Sequence, residues 1–453
     1  MALPRLRVAP GGRHLETVTG EPFFWLADTA WTLPNHLTEA EAREYFGDRR
    51  AKGFNVVQLV ALDPETNADM RNAAGLTPLA GDGSLRWTDA YFRHLDRILD
   101  LAEEHGCYVA LVPAWGQLVT GDNWAWERFP VALDERAARA YGHWLGARYA
   151  DRTHLVWVLG GDRHPVHLGH DHRPVWRALA EGIGSGVTGT ALRWNRRDPA
   201  WDRVLMTYHP CHSEDPPVCS SSEWLHDDAW LSFNMLQSGH RDMVRSYEAI
   251  HRDYTRTPAK PVLDGEPNYE DWQYPTVTGT ATHEAWNVRK RAYWSVLAGA
   301  FGHTYGHACV WPMIDEKRTT AALPYTWREA LDRPGARQMR HLRALVESRP
   351  FHLSVPDQSL VVALHNYLDL RVQARRGLGG TFAFLYLTSG GSVTVDLAAL
   401  RRGPVRAGWF DPRNGSWHAG EHVGAGGSRH TFHAPGRGPG NDWVLVLDAA
   451  RGE

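Results

Sequence analysis

The chain has 453 residues, and its 49 Lys and Arg against 52 Asp and Glu give a formal net charge of −3. This balance argues against a nucleic-acid binder, which needs a basic surface to face phosphate groups. Hydrophobic residues make up 43% and charged residues 22%, which excludes a disordered or fibrous protein, and no apolar run approaches the roughly 18 residues of a membrane helix.

The first three-quarters of the chain alternates short apolar strand patterns with amphipathic helix patterns. One helix is predicted to open with the capping-box pair Thr38 and Glu41, and others have apolar residues every three or four positions over 91–102 and 243–254. The predicted strands are Phe23–Asp28, Phe54–Ala61, Cys107–Pro113, His154–Gly160, Arg203–His209, Ala229–Met235, Pro261–Glu266 and His303–Trp311. Eight strands alternating with helices predict a (β/α)8 barrel over residues 1–349.

A doubly wound sheet is the structural alternative, and the sequence disfavours it. Such a sheet needs a phosphate-binding loop after its first strand, and that loop is absent here. Gly184, Gly186 and Gly189 have the spacing of a dinucleotide-binding fingerprint, but they follow a helix instead of a strand. We therefore interpret these glycines as a flexible loop.

Beyond a helix predicted near Ala336–Glu347, the pattern changes to short strands separated by turn residues. The predicted strands are Ser359–Leu364, Phe382–Leu387, Ser392–Leu397, Val405–Phe410, Ser428–His433 and Asp442–Asp448. Short strands without helices predict a small antiparallel β-sandwich over residues 350–453, with the boundary near Arg349 and Pro350.

Four cysteines are too few for a disulfide scaffold at this length. Cys107 and Cys309 lie in apolar runs and are predicted to be core residues. Cys211 and Cys219 flank a Pro-rich loop, where a bridge is conceivable but free thiols are favoured. The first residues contain no apolar secretory segment, so a cytoplasmic protein is expected if Met1 is the native start, and a secreted protein otherwise.

Two carboxylates follow predicted strands in unusual settings. Asp162 follows the fourth strand after two glycines, and Glu266 follows the seventh strand after Gly265. An adjoining glycine lets a ligand or another backbone approach closely. Because strands four and seven face each other across the C-terminal mouth of a barrel, the two carboxyls should converge there. Such a pair is what cleavage of a glycosidic bond needs.

Both acids could instead have purely structural roles. Asp162 could cap the next helix, and Glu266 could pair with an arginine. Asp264, which should share a strand face with Glu266, and Glu270 on the following loop are rival nucleophiles that rank below Glu266.

The chain holds 21 tryptophans, which would suit a sugar-binding cleft because indole faces stack on the C–H faces of sugars. A merely Trp-rich core is the alternative. In the predicted barrel, Asp28 would accept hydrogen bonds from sugar hydroxyls and Trp31 would supply a stacking face. The predicted substrate-binding residues are Asp28, Trp31, Gln58, Trp115, Arg163, His209, Gln237, Tyr269 and Trp311.

The chain has 25 histidines. Four of them lie close together in sequence and resemble a cluster of metal ligands: His164, His167, His170 and His172. Apart from Asp162 and Asp171, no acid or cysteine completes it, and the run contains Pro and Gly. A solvated or sugar-contacting loop is therefore favoured over a metal site, and metal-dependent hydrolysis is kept as an alternative.

Five stretches of the sequence resemble glycoside hydrolase family 140, the apiosidase-like barrels. They are PFFWLADTAW (22–31), FNVVQL (54–59), WVLGGDRHP (157–165), LDGEPNYE (263–270) and WFDPRNG (409–415). The resemblance covers almost the whole chain and is most specific in the Gly-Gly-Asp and Gly-Glu-Pro segments. The tail resembles a β-sandwich of the collagen-binding type.

This resemblance implies a retaining exo-glycosidase that removes terminal apiose from plant glycans or glycosides without a metal or organic cofactor. It implies that Asp162 is the acid/base and Glu266 the nucleophile. The aspartate departs from the wider clan, which usually has glutamate after asparagine on strand four. Being one methylene shorter, Asp162 should lie closer to the substrate or on a differently shaped loop.

Two further interpretations stay open: an enzyme of the same fold acting on another pentofuranoside, and a non-catalytic sugar-binding protein with no nucleic-acid or membrane partner. The separation of the two carboxyls distinguishes the mechanisms. About 5–5.5 Å favours retention, about 6.5–9.5 Å favours inversion, and a much larger gap favours mere binding.

Overall fold

The computed structural model describes residues 2–122, 130–213, 218–242, 244–362, 370–424 and 429–449. Eight parallel strands form a barrel, which confirms the predicted fold. They are β1 (Trp25–Thr29), β2 (Val56–Val60), β3 (Tyr108–Val112), β4 (Leu155–Gly160), β5 (Met206–His209), β6 (Asn234–Gln237), β7 (Val262–Asp264) and β8 (Gly302–Tyr305). A three-stranded antiparallel sheet precedes them: Leu6–Val8, Leu15–Thr17 and Pro22–Phe23.

The barrel consists of two parallel sheets that are joined by hydrogen bonds at their edges. Strands β5, β4, β3, β2, β1 and β8 form one sheet, and β6 pairs with β7. The backbone N–H of Ser232 donates to Met206 O at 2.8 Å, and that of Phe301 donates to Val262 O at 3.1 Å. Residues that alternate along the strands, including Ala27, Val158 and Leu263, fill the interior.

Seven longer helices, which alternate with the strands, cover the outside of the barrel in the part of the chain that the structure describes. They are α1 (Glu39–Ala51), α2 (Asp89–Glu104), α3 (Glu135–Arg148), α4 (Arg173–Thr188), α5 (Ser246–Tyr254), α6 (Ala285–Leu297) and α7 (Pro334–Glu347). Short helices span Leu33–His36, Gln117–Thr120, Ser222–Leu225 and Trp327–Leu331. Among the described residues, no helix has both the length and the apolar character to cross a membrane.

The predicted helix signals agree with the structure at α1 and α2. Thr38 caps α1 and makes both hydrogen bonds of the capping box with Glu41. The apolar positions predicted in α2 are all buried, because a repeat of three and four places them on one face. In the predicted pattern that leads into α5, Met243 lies outside the described residues.

The glycine run was interpreted wrongly as a loop. Gly184 and Gly186 lie inside α4, and Gly189 ends that helix with a left-handed φ of +70°. A Cβ at Gly186 would lie 2.3 Å from His143 O of α3, so a glycine is needed where the two helices touch. The run serves helix packing and does not bind a dinucleotide.

Two barrel strands differ most from their predicted bounds, because apolar turns look like strands in sequence. Strand β6 begins only at Asn234, since Leu231 closes a turn onto Asp228. Strand β8 ends at Tyr305, since the N–H groups of Val310 and Trp311 turn back onto His307 O.

The last hundred residues form an antiparallel β-sandwich, as predicted. A six-stranded sheet has the order β9 (Ser354–Pro356), β10 (Val372–Gly377), β11 (Phe382–Leu387), β16 (Trp443–Ala449), β13 (Val405–Phe410) and β14 (Trp417–Val423). The second sheet pairs β12 (Gly390–Asp396) with β15 (Arg429–Arg437). Residues from both sheets share one core.

The predicted strand Ser359–Leu364 begins as a 3-10 turn at Gln358–Leu360, Val361 then forms a single antiparallel bridge with Val395, and residues 363 and 364 lie outside the described ranges. The predicted strand that starts at Ser428 is described from Arg429 onward.

The sandwich packs its six-stranded sheet against α6 and α7 of the barrel. Tyr293 of α6 stacks on Tyr386 at 4.7 Å between ring centroids. Beside them, the buried Arg289 makes two hydrogen bonds to Asp442, at 2.6 and 3.0 Å. The face of the sheet that meets the barrel is thus buried, and a buried ion pair lies in the contact.

We expect Asp442→Asn to lower the free energy of unfolding by about 3–5 kcal/mol, because it leaves the buried Arg289 guanidinium without its counter-charge. Chemical denaturation measures this loss. As a control, Arg43→Ala breaks the exposed Arg43–Glu104 pair and should change the stability by less than about 1 kcal/mol. Equal effects of the two substitutions would contradict the assignment of Arg289–Asp442 as a stabilising contact.

Candidate active site

Asp162 lies just after β4, where three consecutive residues have left-handed backbone angles. Their φ values are +89° at Gly160, +99° at Gly161 and +50° at Asp162. A Cβ at Gly160 would lie 2.3 Å from His209 O, and one at Gly161 would lie 2.6 Å from the Trp115 ring. Both glycines are therefore required by close neighbours, and Asp162 has the strained backbone that is common at functional sites.

Glu266 lies on a bend after β7, so it does not continue the alternation of the strand. The last strand residue, Asp264, faces the helices, where Ser238 Oγ donates to its carboxylate at 2.7 Å. The expectation that Asp264 and Glu266 share a face was therefore wrong, because the strand ends between them. The bend brings Glu266 to the mouth of the barrel.

Asp162, His209 and Glu266 meet at one point. One carboxylate oxygen from each acid and one ring nitrogen of His209 all lie within 4.8 Å of one another. Asp162 is 9% exposed, Glu266 is 3% exposed and His209 is completely buried. The predicted convergence of the two carboxyls is thus present in the structure.

Three aromatic side chains surround the Glu266 carboxylate. His209 Nε2 lies 3.0 Å from Oε2, and His240 Nε2 lies 3.5 Å from Oε1. Tyr269 donates its hydroxyl hydrogen to Oε1, and Trp31 Nε1 donates to the Tyr269 oxygen at 3.2 Å. Burial alone would raise the pKa of Glu266, but hydrogen bonds and charges from His209 and His240 outweigh it and hold the pKa well below its ordinary value.

The Asp162 carboxyl has the opposite environment. Burial, and then the negative charges of Glu266 and Glu65, raise its pKa well above the ordinary value. Arg163 and a hydrogen bond from Gln237 offset this increase only in part. The two acids are thus driven apart into an ionised Glu266 and a protonated Asp162, the division that an acid and a nucleophile need.

The predicted aromatic residues gather around these acids. The Trp31 ring centroid lies 5.4 Å from that of Trp115 and 5.4 Å from that of His209. Trp311, which is partly exposed, packs against the same cluster of barrel-end residues. These rings form the wall of the site that a sugar face would meet.

Gln58, Arg163 and Gln237 hold the loops of the site in place. Gln58 Nε2 donates to Gly265 O at 2.9 Å, directly before Glu266. Arg163 Nη1 donates to Asp162 O at 2.7 Å, and Gln237 Oε1 accepts from the His212 N–H at 2.5 Å. All three are buried, so their hydrogen bonds go to the protein around the two acids.

Asp28 is not brought to the site. In β1, Trp25 and Ala27 line the barrel interior, so Asp28 faces the helices on the alternate side. There it accepts a hydrogen bond from the Tyr45 hydroxyl at 2.5 Å and lies 3.3 Å from Arg49 Nε, and its side chain is fully buried. The predicted role of Asp28 in binding sugar hydroxyls does not fit this position, because the alternation of side chains along β1 turns the carboxylate away from the barrel mouth.

Glu270, the other rival nucleophile, has a structural position. It accepts hydrogen bonds from the Tyr305 hydroxyl at 2.5 Å and from the Gly335 N–H at 2.9 Å. The second bond satisfies a free backbone donor in the first turn of α7.

The histidine-rich run is spread over separate contacts. His167 Nε2 lies 2.9 Å from Asp122 Oδ2, and the His164 ring stacks on Trp224 at 4.9 Å. Within the described ranges, Asp162, His209 and Glu266 form the one group with metal-binding spacing. Two carboxylates and an imidazole suit a divalent cation, but this group coincides with the acid pair. All four cysteines are free, so the conceivable Cys211–Cys219 bridge is not formed.

Two residues of the site were not predicted. His240 follows β6, and Glu65 follows β2, each on a loop after a strand that carried a predicted residue. The position of these loops at the C-terminal end of the barrel was the available signal. Their side chains gave no further pattern, since neither belongs to a motif.

Comparisons with known proteins agree with this geometry. Residues 9–352 match the family model described as an apiosidase-like catalytic domain, and residues 355–448 match one described as a collagen-binding domain of a collagenase. No protein of curated function matches the chain.

Solved structures resemble the whole chain. One, named as a glycoside hydrolase, is 29% identical with a TM-score of 0.83, and the match covers 99% of this chain and 98% of that one. A glycoside hydrolase family 5 structure from Bacteroides vulgatus has the same identity and TM-score over 98% and 94% of the two chains. A third structure, from the same organism, shares the fold at 14% identity and a TM-score of 0.68, over 99% and 82%.

We expect Asp28→Ala to lower the stability by about 3 kcal/mol, because the fully buried Arg49 then keeps only the Asp48 carboxylate, 3.4 Å away. Turnover per folded molecule should stay within about threefold of wild type, since Asp28 lies outside the site. Denaturation and steady-state kinetics on one preparation measure both. Tyr45→Phe, which removes a single hydrogen bond, should lose only about 1 kcal/mol. A collapse of turnover at unchanged stability would place Asp28 in the substrate site after all.

Proposed function

The chain belongs to the apiosidase-like family of glycoside hydrolases, and on this basis we propose that it is a retaining exo-glycosidase of terminal furanosides. Apiosides of plant glycans or glycosides are the leading substrates. The membership makes the chain a glycoside hydrolase, and a non-catalytic sugar-binding role is therefore set aside. The retaining course and the furanose are the proposal.

The spacing of the two acids carries the proposal. An oxygen of Asp162 and one of Glu266 lie within 4.8 Å of each other. Inverting glycosidases keep their carboxyls about 6.5–9.5 Å apart to leave room for a water molecule, whereas retaining enzymes need about 5–5.5 Å. The short spacing supports direct attack by Glu266 on the sugar.

In the first step, the Glu266 carboxylate attacks the anomeric carbon while Asp162 gives its proton to the leaving oxygen. The bond to the aglycone breaks, and a glycosyl ester forms on Glu266. His209 and His240, which stabilise the ionised carboxylate, favour the form of Glu266 that can attack.

In the second step, Asp162 removes a proton from water, which attacks the anomeric carbon and releases the sugar. Esterification removes the negative charge of Glu266, one of the charges that raise the pKa of Asp162. The pKa of Asp162 should therefore fall in the intermediate, when this residue must act as a base. The same pair can thus supply the acid and the base in turn.

The apioside assignment rests on the family resemblance and on the closed shape of the site. The acids are almost completely buried, and the rings of Trp31, Trp115 and His209 pack against one another beside them. A small terminal sugar suits so enclosed a pair of acids better than the interior of a polysaccharide chain. Other pentofuranosides remain within the same proposal.

A panel of aryl furanosides and pyranosides, including apiosides, tests the function. We expect Glu266→Gln and Asp162→Asn to retain the fold and less than a few per cent of wild-type turnover. A chelator should leave the wild-type rate unchanged. The configuration of the first product, followed by NMR, should match that of the substrate; inverted product, or substantial activity of Glu266→Gln, would overturn the proposed mechanism.

The pH profile provides a second test. Because activity needs an ionised Glu266 and a protonated Asp162, kcat/KM should fall as the pH rises through the raised pKa of Asp162. The acid-side decline should lie far below neutrality, because the pKa of Glu266 is lowered. Measurement with an aryl glycoside from pH 3 to pH 10 checks both limbs. A profile that rises through neutral pH would contradict the assigned protonation states.

A further inference from the structure

A third carboxylate, Glu65, lies at the site, and the two catalytic steps leave it without a role. It follows β2 on a loop that the backbone holds in place. The Glu65 N–H donates to Asp63 Oδ1 at 2.9 Å, and the Trp115 N–H donates to Leu62 O at 3.0 Å. The backbone of Trp115 therefore ties the loop to the aromatic residues of the site, and the Asp63 carboxylate accepts from the backbone of the loop itself.

From the described residues, no hydrogen bond of normal geometry reaches Oε2 of the Glu65 carboxylate, although the Trp115 indole N–H lies near enough to lower the pKa of this carboxyl. This oxygen is buried. An unsatisfied buried acceptor is unfavourable, because the carboxylate has lost water without gaining a replacement. Such an atom at the edge of a substrate site is most simply explained by a donor that arrives with the ligand.

The charged groups around Glu65 come from every neighbouring loop. Asp63 lies on its own loop, Arg163 follows β4 and Glu266 follows β7, while the Trp115 indole approaches from the loop after β3. Burial and then the charge of Asp63 raise the pKa of Glu65 to about 7, against the opposing effects of Arg163 and Trp115. Glu65 in turn is one of the two charges that raise the pKa of Asp162.

We propose that Glu65 is a substrate-binding residue whose carboxylate accepts hydrogen bonds from a pair of hydroxyls on the sugar held between Asp162 and Glu266. A carboxylate is an acceptor with two oxygens, so neighbouring hydroxyls are its natural partners. Its charge also favours the proton on Asp162, which couples recognition of the sugar to the general acid. This inference rests on the proposed glycosidase function.

Glu65→Gln tests the proposal, because it preserves the shape of the side chain and removes the charge and one acceptor. We expect kcat/KM to fall about 10- to 100-fold. The alkaline decline of the pH profile should move to lower pH, since the pKa of Asp162 loses one of its raising charges. The shifted limb tests the effect of the Glu65 charge on Asp162, whereas the fall in kcat/KM at an unchanged melting temperature tests the contact with the sugar.

Glu16→Gln is the matched control. Glu16 is also buried, but it pairs with Arg7 in the N-terminal sheet, away from the site. Its substitution should leave the kinetics and the pH profile unchanged. If Glu65→Gln likewise matches wild type in both, the proposal is overturned.

Deoxy substrates identify the partner hydroxyls. In wild type, removal of one of the paired hydroxyls from the sugar should lower kcat/KM, whereas in Glu65→Ala the same removal should have little further effect. If removal of the hydroxyl lowers kcat/KM by the same factor in wild type and in Glu65→Ala, the assigned contact is overturned. If Glu65→Ala does not fold, the comparison is made with Glu65→Gln.

Failure of this inference is distinguishable from failure of the proposed function. A wild-type enzyme that cleaves glycosides while Glu65→Gln behaves identically refutes the inference alone. If wild type cleaves no glycoside of the panel, the proposed function fails, and calorimetric titration of free pentoses still tests Glu65. Equal affinity of wild type and Glu65→Gln for every pentose would overturn the inference in that case.

Discussion

Two carboxyl groups within 4.8 Å of each other, both taken out of water, set the constraint on which the site depends. Two like charges at this distance in a buried environment cannot both be stable, so the environment must choose one of them. Imidazoles beside Glu266 favour its ionised form, whereas at Asp162 burial and the charges of Glu266 and Glu65 outweigh Arg163 and Gln237 and raise the pKa of that carboxyl. The proposed retaining mechanism depends on this difference between two similar groups.

The backbone of the barrel produces the short distance. Two glycines that cannot carry a Cβ turn the chain after β4, and a bend after β7 interrupts the alternation of that strand. The shorter aspartate on strand four is thus accompanied by a differently shaped loop, one of the two possibilities that the sequence left open. Gln58 and Arg163 then hold the carbonyls next to the two acids.

Other buried charges belong to the scaffold, and they look like site residues in the sequence. Asp28 and Glu270 each lie near a strand end, yet one faces Arg49 on α1 and the other caps the start of α7. The sandwich adds a further ion pair, Arg289 with Asp442, where it covers the barrel. Burial therefore marks both the scaffold and the site, and the neighbouring groups distinguish them. Asp28 and Glu270 contact arginine, tyrosine or backbone donors of the scaffold, whereas Asp162 and Glu266 lie beside each other and His209.

The sequence by itself determined the barrel, the sandwich and the positions of Asp162 and Glu266, because these depend on local periodicity and on glycines adjoining the acids. Only the tertiary structure decided the direction of Asp28, since a shift of one residue in the alternation of a strand exchanges inside for outside. It also decided that His240 and Glu65 join the site and that glycines in α4 pack helices. Protonation likewise followed from the fold, because the pKa of a carboxyl depends on burial and on charges from segments far apart in the chain.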